Sequence, residues 1–189
     1  MEKQKKDNEK LKHSGNTILV AFDFSPCSIL ALRKARSLIR EKQGSIIVFH
    51  VIDHDFVKKC IRNRLGTEGD IKEKLFLNAK SKLQDFIRKE AMDGVPVEVV
   101  ISEGAPCSEI NKKAIECNAD MIVMGSKGDS EDIKSIFFGS TIERVLRFIK
   151  RPVLCVPPEE FHKSRILDAG PIIPLSEDIH RVRECRPYS

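Results

Sequence analysis

The sequence is poor in the aromatic side chains that stack on nucleic-acid bases. It contains no tryptophan and a single tyrosine, Tyr188, next to its last residue. The 33 basic and 28 acidic residues are largely interspersed, so the net charge of +5 is typical of an ordinary solvated surface. Recognition of RNA or DNA usually combines basic residues with exposed aromatic ones. We therefore expect no nucleic-acid partner.

Long apolar runs are also missing. No stretch approaches the roughly 20 apolar residues that a membrane-spanning helix needs. The sequence begins MEKQKKD, with no apolar segment behind these residues of the kind that a secretory signal carries. We expect a cytoplasmic protein with no membrane partner.

The six cysteines form no CxxC pair, and most of them fall inside apolar stretches. This pattern predicts reduced, buried thiols and argues against a structural zinc site. His50, Asp53, His54 and Asp55 are metal-type ligands at close spacing, but alternation along a strand points them in different directions. We expect no metal site.

Five short apolar runs rich in β-branched residues alternate with segments of helical periodicity. This alternation predicts an α/β fold, an open five-stranded parallel sheet with helices on both faces. The predicted strands are residues 17–22, 45–52, 95–101, 120–124 and 153–156. The predicted helices run from Ser25-Pro26 to Gly44, over 70–92, over 106–117 and from Ser140 to Arg151, with a loop over 56–69.

The length of 189 residues suits one domain with two tails. Residues 1–14 are almost wholly polar and charged, which predicts a disordered arm because little apolar area is available to offset the entropy of ordering. The folded domain is assigned to residues 15–157. The tail, residues 158–189, has scattered proline, glycine and charge. It is either disordered or a strap that packs on the domain or on a partner subunit.

A strand that runs directly into glycines marks the candidate site. The apolar residues 121–124 are followed by Gly125 and Gly128 with Lys127 between them, and Gly139 closes the same region. Glycine has no Cβ and tolerates positive φ, so its backbone N–H groups can approach a phosphate closely. The alternative is that these residues are ordinary turn glycines.

Ser140, Thr141 and Glu143 follow the last of these glycines. Ser140 and Glu143 have the spacing of a capping box, which predicts a helix start. The positive end of a helix favours an anion, so the glycines and the helix together form a candidate phosphate cradle.

These residues resemble the signature of the universal stress protein family: Gly, two residues, Gly, nine residues, then Gly followed by Ser or Thr. Gly125 and Gly128 fit the first gap, but ten residues separate Gly128 from Gly139. The resemblance includes the runs VAFD at 20–23 and RPVLCV at 151–156 and extends over about 16–157. It implies a Rossmann-like fold of the adenine nucleotide alpha hydrolase type.

The resemblance also implies a nucleotide site. It places the first and fourth strands side by side, with Asp23 near the glycines, where the matching Asp of nucleotide-binding members contacts the nucleoside part of ATP. Ile52 matches the position whose backbone meets adenine. Ser140 and Thr141 match positions for hydroxyl contacts to phosphate. The alternatives are a turn or cap role for Asp23, a core role for Ile52 and a purely structural role for Ser140.

Three carboxylates stand in the stretch 129–132, between the glycines. They would repel a polyphosphate unless a Mg²⁺ ion bridges them to it. The alternative is that they begin a short helical turn, where carboxylates are favourable. Lys127 is the nearest compensating cation.

No Ser-His-Asp or Cys-His arrangement can be assembled, so we nominate no catalytic residue. The predicted function is that of a universal-stress-type protein that binds ATP or another adenine nucleotide as a regulatory or stress-response module. A nucleotide-free dimeric interaction scaffold and a slow ATPase are the alternatives. Family members commonly pair through the edge strand that matches residues 153–156, so the resemblance implies a homodimer.

Overall fold

A computed structural model describes residues 16–39, 44–90, 94–128, 139–148 and 150–158. Within them one sheet has five parallel strands in the order β3-β2-β1-β4-β5. The strands are β1 (Asn16–Ala21), β2 (Gly44–Asp53), β3 (Val97–Gly104), β4 (Met121–Gly125) and β5 (Val153–Val156). The predicted arm 1–14, the acidic stretch 129–132 and residues 159–189 of the predicted tail lie outside the described residues.

Five helices connect or flank these strands in the described part of the chain. They are α1 (Pro26–Leu38), α2 (His54–Arg62), α3 (Glu68–Lys89), α4 (Pro106–Glu116) and α5 (Ser140–Arg147). Ser25 caps α1 as expected, because its hydroxyl accepts a hydrogen bond from the Ser28 N–H at 3.2 Å. No described helix is long and apolar enough to cross a lipid bilayer.

The predicted loop over residues 56–69 is wrong in its first half, because α2 occupies it as far as Arg62. The Asp53 carboxylate accepts a hydrogen bond from the Asp55 N–H at 2.8 Å and caps the helix. Val57 and Cys60, one turn apart, are buried in a small cluster with Ile71 of α3. Two buried positions are too few to show a helical period, so the sequence pattern missed a helix that tertiary packing stabilises.

The helices cover both faces of the sheet, as predicted. Neighbouring strand residues point to opposite faces, so Ile18 and Val20 of β1 pack with α1 and α3, whereas Leu19 packs with α4 and α5. Parallel strands buried on both faces read as continuous apolar runs, which is the pattern that the sequence showed. The fold class predicted from the sequence is therefore confirmed.

The strand order reverses between β1 and β4, which lie side by side at the centre of the sheet. After β1 the chain enters α1 on one face, and α5, which follows β4, lies on the other face. In open α/β sheets a crevice forms at the carboxyl ends of two strands whose connections diverge in this way. The fold thus places the crevice between Ala21 and Gly125.

Gly125 is required by packing. A Cβ at this position would lie 2.6 Å from the Cβ and 2.9 Å from the carbonyl carbon of Cys27, at the start of α1. Its φ is not in the left-handed region, so backbone freedom is not the reason for glycine here. The missing side chain lets α1 rest directly on the end of β4.

We therefore expect Gly125→Ala to lower the free energy of unfolding by about 1–3 kcal/mol, because the added methyl forces the start of α1 away from β4. Gly69→Ala is the matched control: its Cβ would meet nothing within 4 Å, and alanine favours a helix. Urea denaturation measures both variants. Equal stability of the two variants would contradict the packing role of Gly125.

Candidate functional site

A cavity of about 350 Å³ opens at the crevice between β1 and β4. Every residue predicted for the site, except Ile52, lines it: Asp23, Gly125, Lys127, Gly128, Gly139, Ser140 and Thr141. Its size is within the range of small-molecule sites. The topology therefore brings together residues that are more than one hundred positions apart in the chain.

Asp23 lies two residues beyond the end of β1 and is anchored by Ser25. The backbone N–H and the hydroxyl of Ser25 donate hydrogen bonds to Asp23 Oδ1, at 3.0 and 2.5 Å. Asp23 Oδ2 points toward Gly128, 2.9 Å from the position that a Cβ would take there. One oxygen thus holds the turn, and the other faces the glycine loop across the cavity.

Phe24 adopts a left-handed backbone conformation, with φ of 68°. For a bulky residue this conformation costs about 1–3 kcal/mol. Its ring packs edge-on against Phe22, with centroids 5.3 Å apart, and against His50, at 5.0 Å. Edge-to-face contacts of this kind stabilise by about 0.5–1.5 kcal/mol each beyond simple burial, which offsets the strain. This turn follows directly after Asp23, whose carboxylate Ser25 holds at the rim of the cavity.

The loop after β4 is tied to both of its neighbours. The Ser126 N–H donates to the carbonyl oxygen of Val156 in β5, and the Gly139 N–H donates to the Ser126 carbonyl oxygen, both at 2.8 Å. Ser126 is buried. These bonds hold the start of α5 against the loop, beside Lys127 and Gly128.

The predicted capping box at Ser140 is wrong. The N-cap of α5 is Gly139, and Ser140 is the first helical residue. Helices α1, α2 and α3 have side-chain caps from Ser25, Asp53 and Thr67, whereas α4 and α5 have none among the described residues. Helix α4 begins with Pro106, which has no N–H, so α5 is the helix whose first N–H groups are uncapped by described side chains at the wall of the cavity.

Gly139 and Gly128 are not required by packing as Gly125 is. A Cβ at Gly139 would meet its nearest described neighbours at 3.6 Å, an ordinary contact distance, and its φ of −71° suits any residue. A Cβ at Gly128 would meet only the end of the Asp23 side chain, at 2.9 Å. Among the described residues, then, the fold alone does not explain why these two positions are glycine.

Lys127 is half-buried, and its main chain hydrogen-bonds to the Cys27 thiol. Burial raises the pKa of Cys27, and this hydrogen bond offsets the effect only in part. The Cys27 thiol is thus protonated at neutral pH and only 5% exposed. Its place at a helix start does not make it reactive.

Ile52 does not line this cavity. It is buried with Val57 and Ile71 in the small cluster under α2, and the preceding residue, Val51, lines the cavity instead. Side chains of adjacent strand residues point to opposite faces, so a shift of one position changes the face. The resemblance assigns the adenine contact to the backbone of Ile52, and the direction of its side chain does not test that assignment.

Sequence reasoning also missed most of the apolar wall. The missed lining residues include Phe49, Val51, Pro106, Ile110, Met124 and Ile142. The weak signal that pointed to them was the proline at the start of α4, which marks a helix beginning at the same edge of the sheet as Asp23. The cavity is therefore half apolar, and its polar half is the glycine loop with the start of α5.

His50 and His54 make separate contacts. His50 Nδ1 lies 2.8 Å from the Phe22 carbonyl oxygen and donates to it, whereas His54 Nε2 lies 2.8 Å from Glu103 Oε1. The His50 bond holds the end of β1 immediately before Asp23. Neither imidazole lines the cavity between β1 and β4.

The sequence model of the universal stress protein family matches residues 15–157. The universal stress protein MJ0577 of Methanocaldococcus jannaschii is 35% identical over 152 residues, covering 74% of this chain and 93% of that protein. Universal stress protein YxiE of Bacillus subtilis is 32% identical over 157 residues, covering 75% of this chain and 98% of that protein.

A solved structure of MJ0577 matches the fold with a TM-score of 0.66 at 32% identity, covering 76% of this chain and 96% of that one. The family match extends over the five-stranded sheet and includes every residue that lines the cavity.

The contact between His50 and Phe22 generates a prediction about pH. Burial is the main cause that lowers the pKa of His50 below its ordinary value of 6.5, although the Phe22 carbonyl and the nearby Asp23 partly oppose it. As the pH falls, the unfolded chain therefore takes up this proton before the folded chain does. The stabilisation by neutral His50 is present above about pH 6.5 and is lost as the pH falls toward the pKa of the folded state.

We expect His50→Asn to lose less stability than the wild type between about pH 7 and about pH 5, because an Asn amide can donate to the Phe22 carbonyl oxygen but does not titrate. Urea denaturation at several pH values measures the difference in slope. Parallel pH profiles for the two proteins would show that His50 does not titrate differently in the folded chain.

Proposed function

The chain belongs to the universal stress protein family, and we propose that its cavity between β1 and β4 binds an adenine nucleotide, with ATP as the first candidate. The observation that carries this proposal is the start of α5. No described side chain caps its N–H groups, its first residues border the cavity, and they follow a glycine that the described packing does not require. Uncapped N–H groups at a helix N-terminus favour a phosphate.

The apolar half of the cavity suits a planar base. Val51, Pro106, Ile110 and Met124 form walls that an adenine ring can contact on its faces. The backbone of Ile52, at the end of β2, is the proposed contact to its edge. Asp23 Oδ2 faces the space between this half and the glycine loop. A carboxylate there can accept hydrogen bonds from ribose hydroxyls, which places the phosphates over Gly128, Gly139 and Ser140.

We assign the bound nucleotide a regulatory role. The described residues that line the cavity provide no paired nucleophile and base. The five cysteines of the described part are all free thiols, as expected for a protein of the reducing cytoplasm. The proposed role is that of a cytoplasmic stress-response module that is regulated by the binding of an adenine nucleotide. Hydrolysis is a minor activity at most.

We expect Gly139→Val to abolish or strongly weaken ATP binding while the domain stays folded, because the described neighbours accept a Cβ but the phosphates cannot approach past a branched side chain. Asp23→Ala should cost about 1–3 kcal/mol of binding free energy through the lost ribose contact. Asp85→Ala, an exposed carboxylate on α3, is the matched control.

Titration calorimetry with ATP, with and without Mg²⁺, measures these affinities. A Mg²⁺ requirement would indicate that carboxylates outside the described residues, in 129–132, reach the phosphates through the ion. Wild-type protein that is folded by circular dichroism but binds no ATP at about 1 mM would overturn the proposal. The nucleotide-free interaction scaffold would then be the better assignment.

We also propose that the chain forms a homodimer through β5. Pro152 and Val156 direct their carbonyl oxygens to β4, at 2.8 Å from the N–H groups of Ile122 and Ser126. Because successive residues of a strand alternate, the backbone groups of Val153 and Cys155 face away from β4. In the described part of the chain no strand pairs with that edge. An exposed edge favours pairing with a second copy.

We expect Cys155→Pro to dissociate the dimer without unfolding the domain, since the ring removes an outward N–H and leaves the bonds to β4 intact. Cys155→Ser is the matched control and should stay dimeric. Sedimentation velocity at about 50 µM distinguishes the two states. A monomeric wild type at that concentration, or a dimeric proline variant, would refute pairing through β5.

A further inference from the structure

A second cavity, of about 500 Å³, opens at the same edge of the sheet but on the side of α2 and α3. Its apolar surface comes from Phe24, Ile52, Phe56 and Leu75. It shares only the rim residues Asp23, Val51 and Asp53 with the first cavity. The proposed nucleotide site uses neither its apolar floor nor the polar residues that α3 contributes to it.

Opposite charges stand on opposite sides of this second cavity. Helix α3 contributes the Lys82 ammonium and the Asn78 amide, and the ends of β1 and β2 contribute Asp23 and Asp53. Lys82 Nζ lies 6.0 Å from the centre of the Phe24 ring, and none of the ion pairs among the described residues includes it. Asp53 accepts the Asp55 N–H through Oδ1 and keeps Oδ2, whereas Asp23 Oδ2 faces Gly128 in the first cavity.

His50 adds an acceptor on the side of the carboxylates. Its Nδ1 donates to the Phe22 carbonyl oxygen, which fixes the tautomer of the neutral ring and makes Nε2 an acceptor. Nε2 lies on the side of the ring away from Phe22, and no hydrogen bond from a described residue reaches it. The groups at this end of the cavity are thus acceptors, and those on α3 are donors.

The apolar floor is incompletely covered. Phe56 of α2 is 52% exposed, although its ring borders the cavity. Phe24 holds its strained conformation while its ring forms the opposite wall. Backbone strain of this kind concentrates at ligand sites. An aromatic or large aliphatic group between these rings would bury apolar surface that now faces water.

We propose that the second cavity binds a zwitterionic α-amino acid with a large apolar side chain, for which an aromatic ring fits best. The ammonium donates to Asp53 and His50 Nε2, and the carboxylate accepts from Lys82 and Asn78. The side chain packs against Phe24 and Phe56. A ligand with only one of the two charges loses the charge-assisted hydrogen bonds either to Asp53 or to Lys82.

Calorimetry of the full-length chain with L-phenylalanine, phenethylamine and 3-phenylpropionate tests this assignment. L-Phenylalanine should bind at least about tenfold tighter than either analogue, which lacks one charged group. Equal affinity for phenethylamine would make the cavity a cation site, and equal affinity for 3-phenylpropionate would make it an anion site. Either result, or no saturable binding of L-phenylalanine at about 10 mM, overturns the proposal.

Lys82→Met should weaken L-phenylalanine binding by about tenfold or more, whereas Lys80→Met, two residues away on the same helix and outside the cavity, should not change it. Equal affinity of the two variants refutes the role of Lys82. Gly139→Val separates the two sites, because it should remove ATP binding and leave L-phenylalanine binding intact. Displacement of L-phenylalanine by ATP in the wild type would place the amino acid in the first cavity and contradict the proposal.

Discussion

The pairing of β1 with β4 is the constraint on which the rest of the structure depends. Ile18 to Ala21 align in parallel with Met121 to Met124, although about one hundred residues separate the two strands. The chain leaves β1 toward one face of the sheet, and the helix after β4 lies on the other face. A crevice therefore opens at the carboxyl ends of these two strands. This pairing sets Asp23 against Gly128 and creates the crevice. Asp23 borders the crevice from the side of β1, and Gly128, Gly139 and Ser140 border it from the side of β4.

The three glycines of the loop have different physical roles. Gly125 lets α1 approach β4 to a distance at which no Cβ fits. Gly139 meets no such restriction among the described residues, yet it stands where α5 begins without a side-chain cap. Packing therefore explains the first glycine, and only the proposed nucleotide gives a reason for the last. The ten-residue gap before Gly139 does not prevent its N–H from bonding to Ser126 at 2.8 Å.

The turn after β1 connects the two cavities. Phe24 is strained, and its ring is held by Phe22 and His50, while the residues on either side of it, Asp23 and Ser25, hydrogen-bond to each other. Asp23 lies on the rim of the first cavity and on the rim of the second. The carboxylate assigned to the proposed nucleotide therefore lies on the rim of both cavities.

The sequence by itself determined the strands, the fold class and the family, because strands buried on both faces and glycines at a strand end leave local patterns. It also located Asp23 and the glycines, since both follow apolar runs. The tertiary structure alone decided that Val51 rather than Ile52 faces the first cavity, because face selection depends on the register between strands. It also decided that α2 forms and that Ser140 is not a cap. Helix α2 depends on packing against Ile71 of α3, and the start of α5 depends on the hydrogen bond from Gly139 to Ser126. Both partners lie at least ten residues away, so no local pattern encodes these contacts.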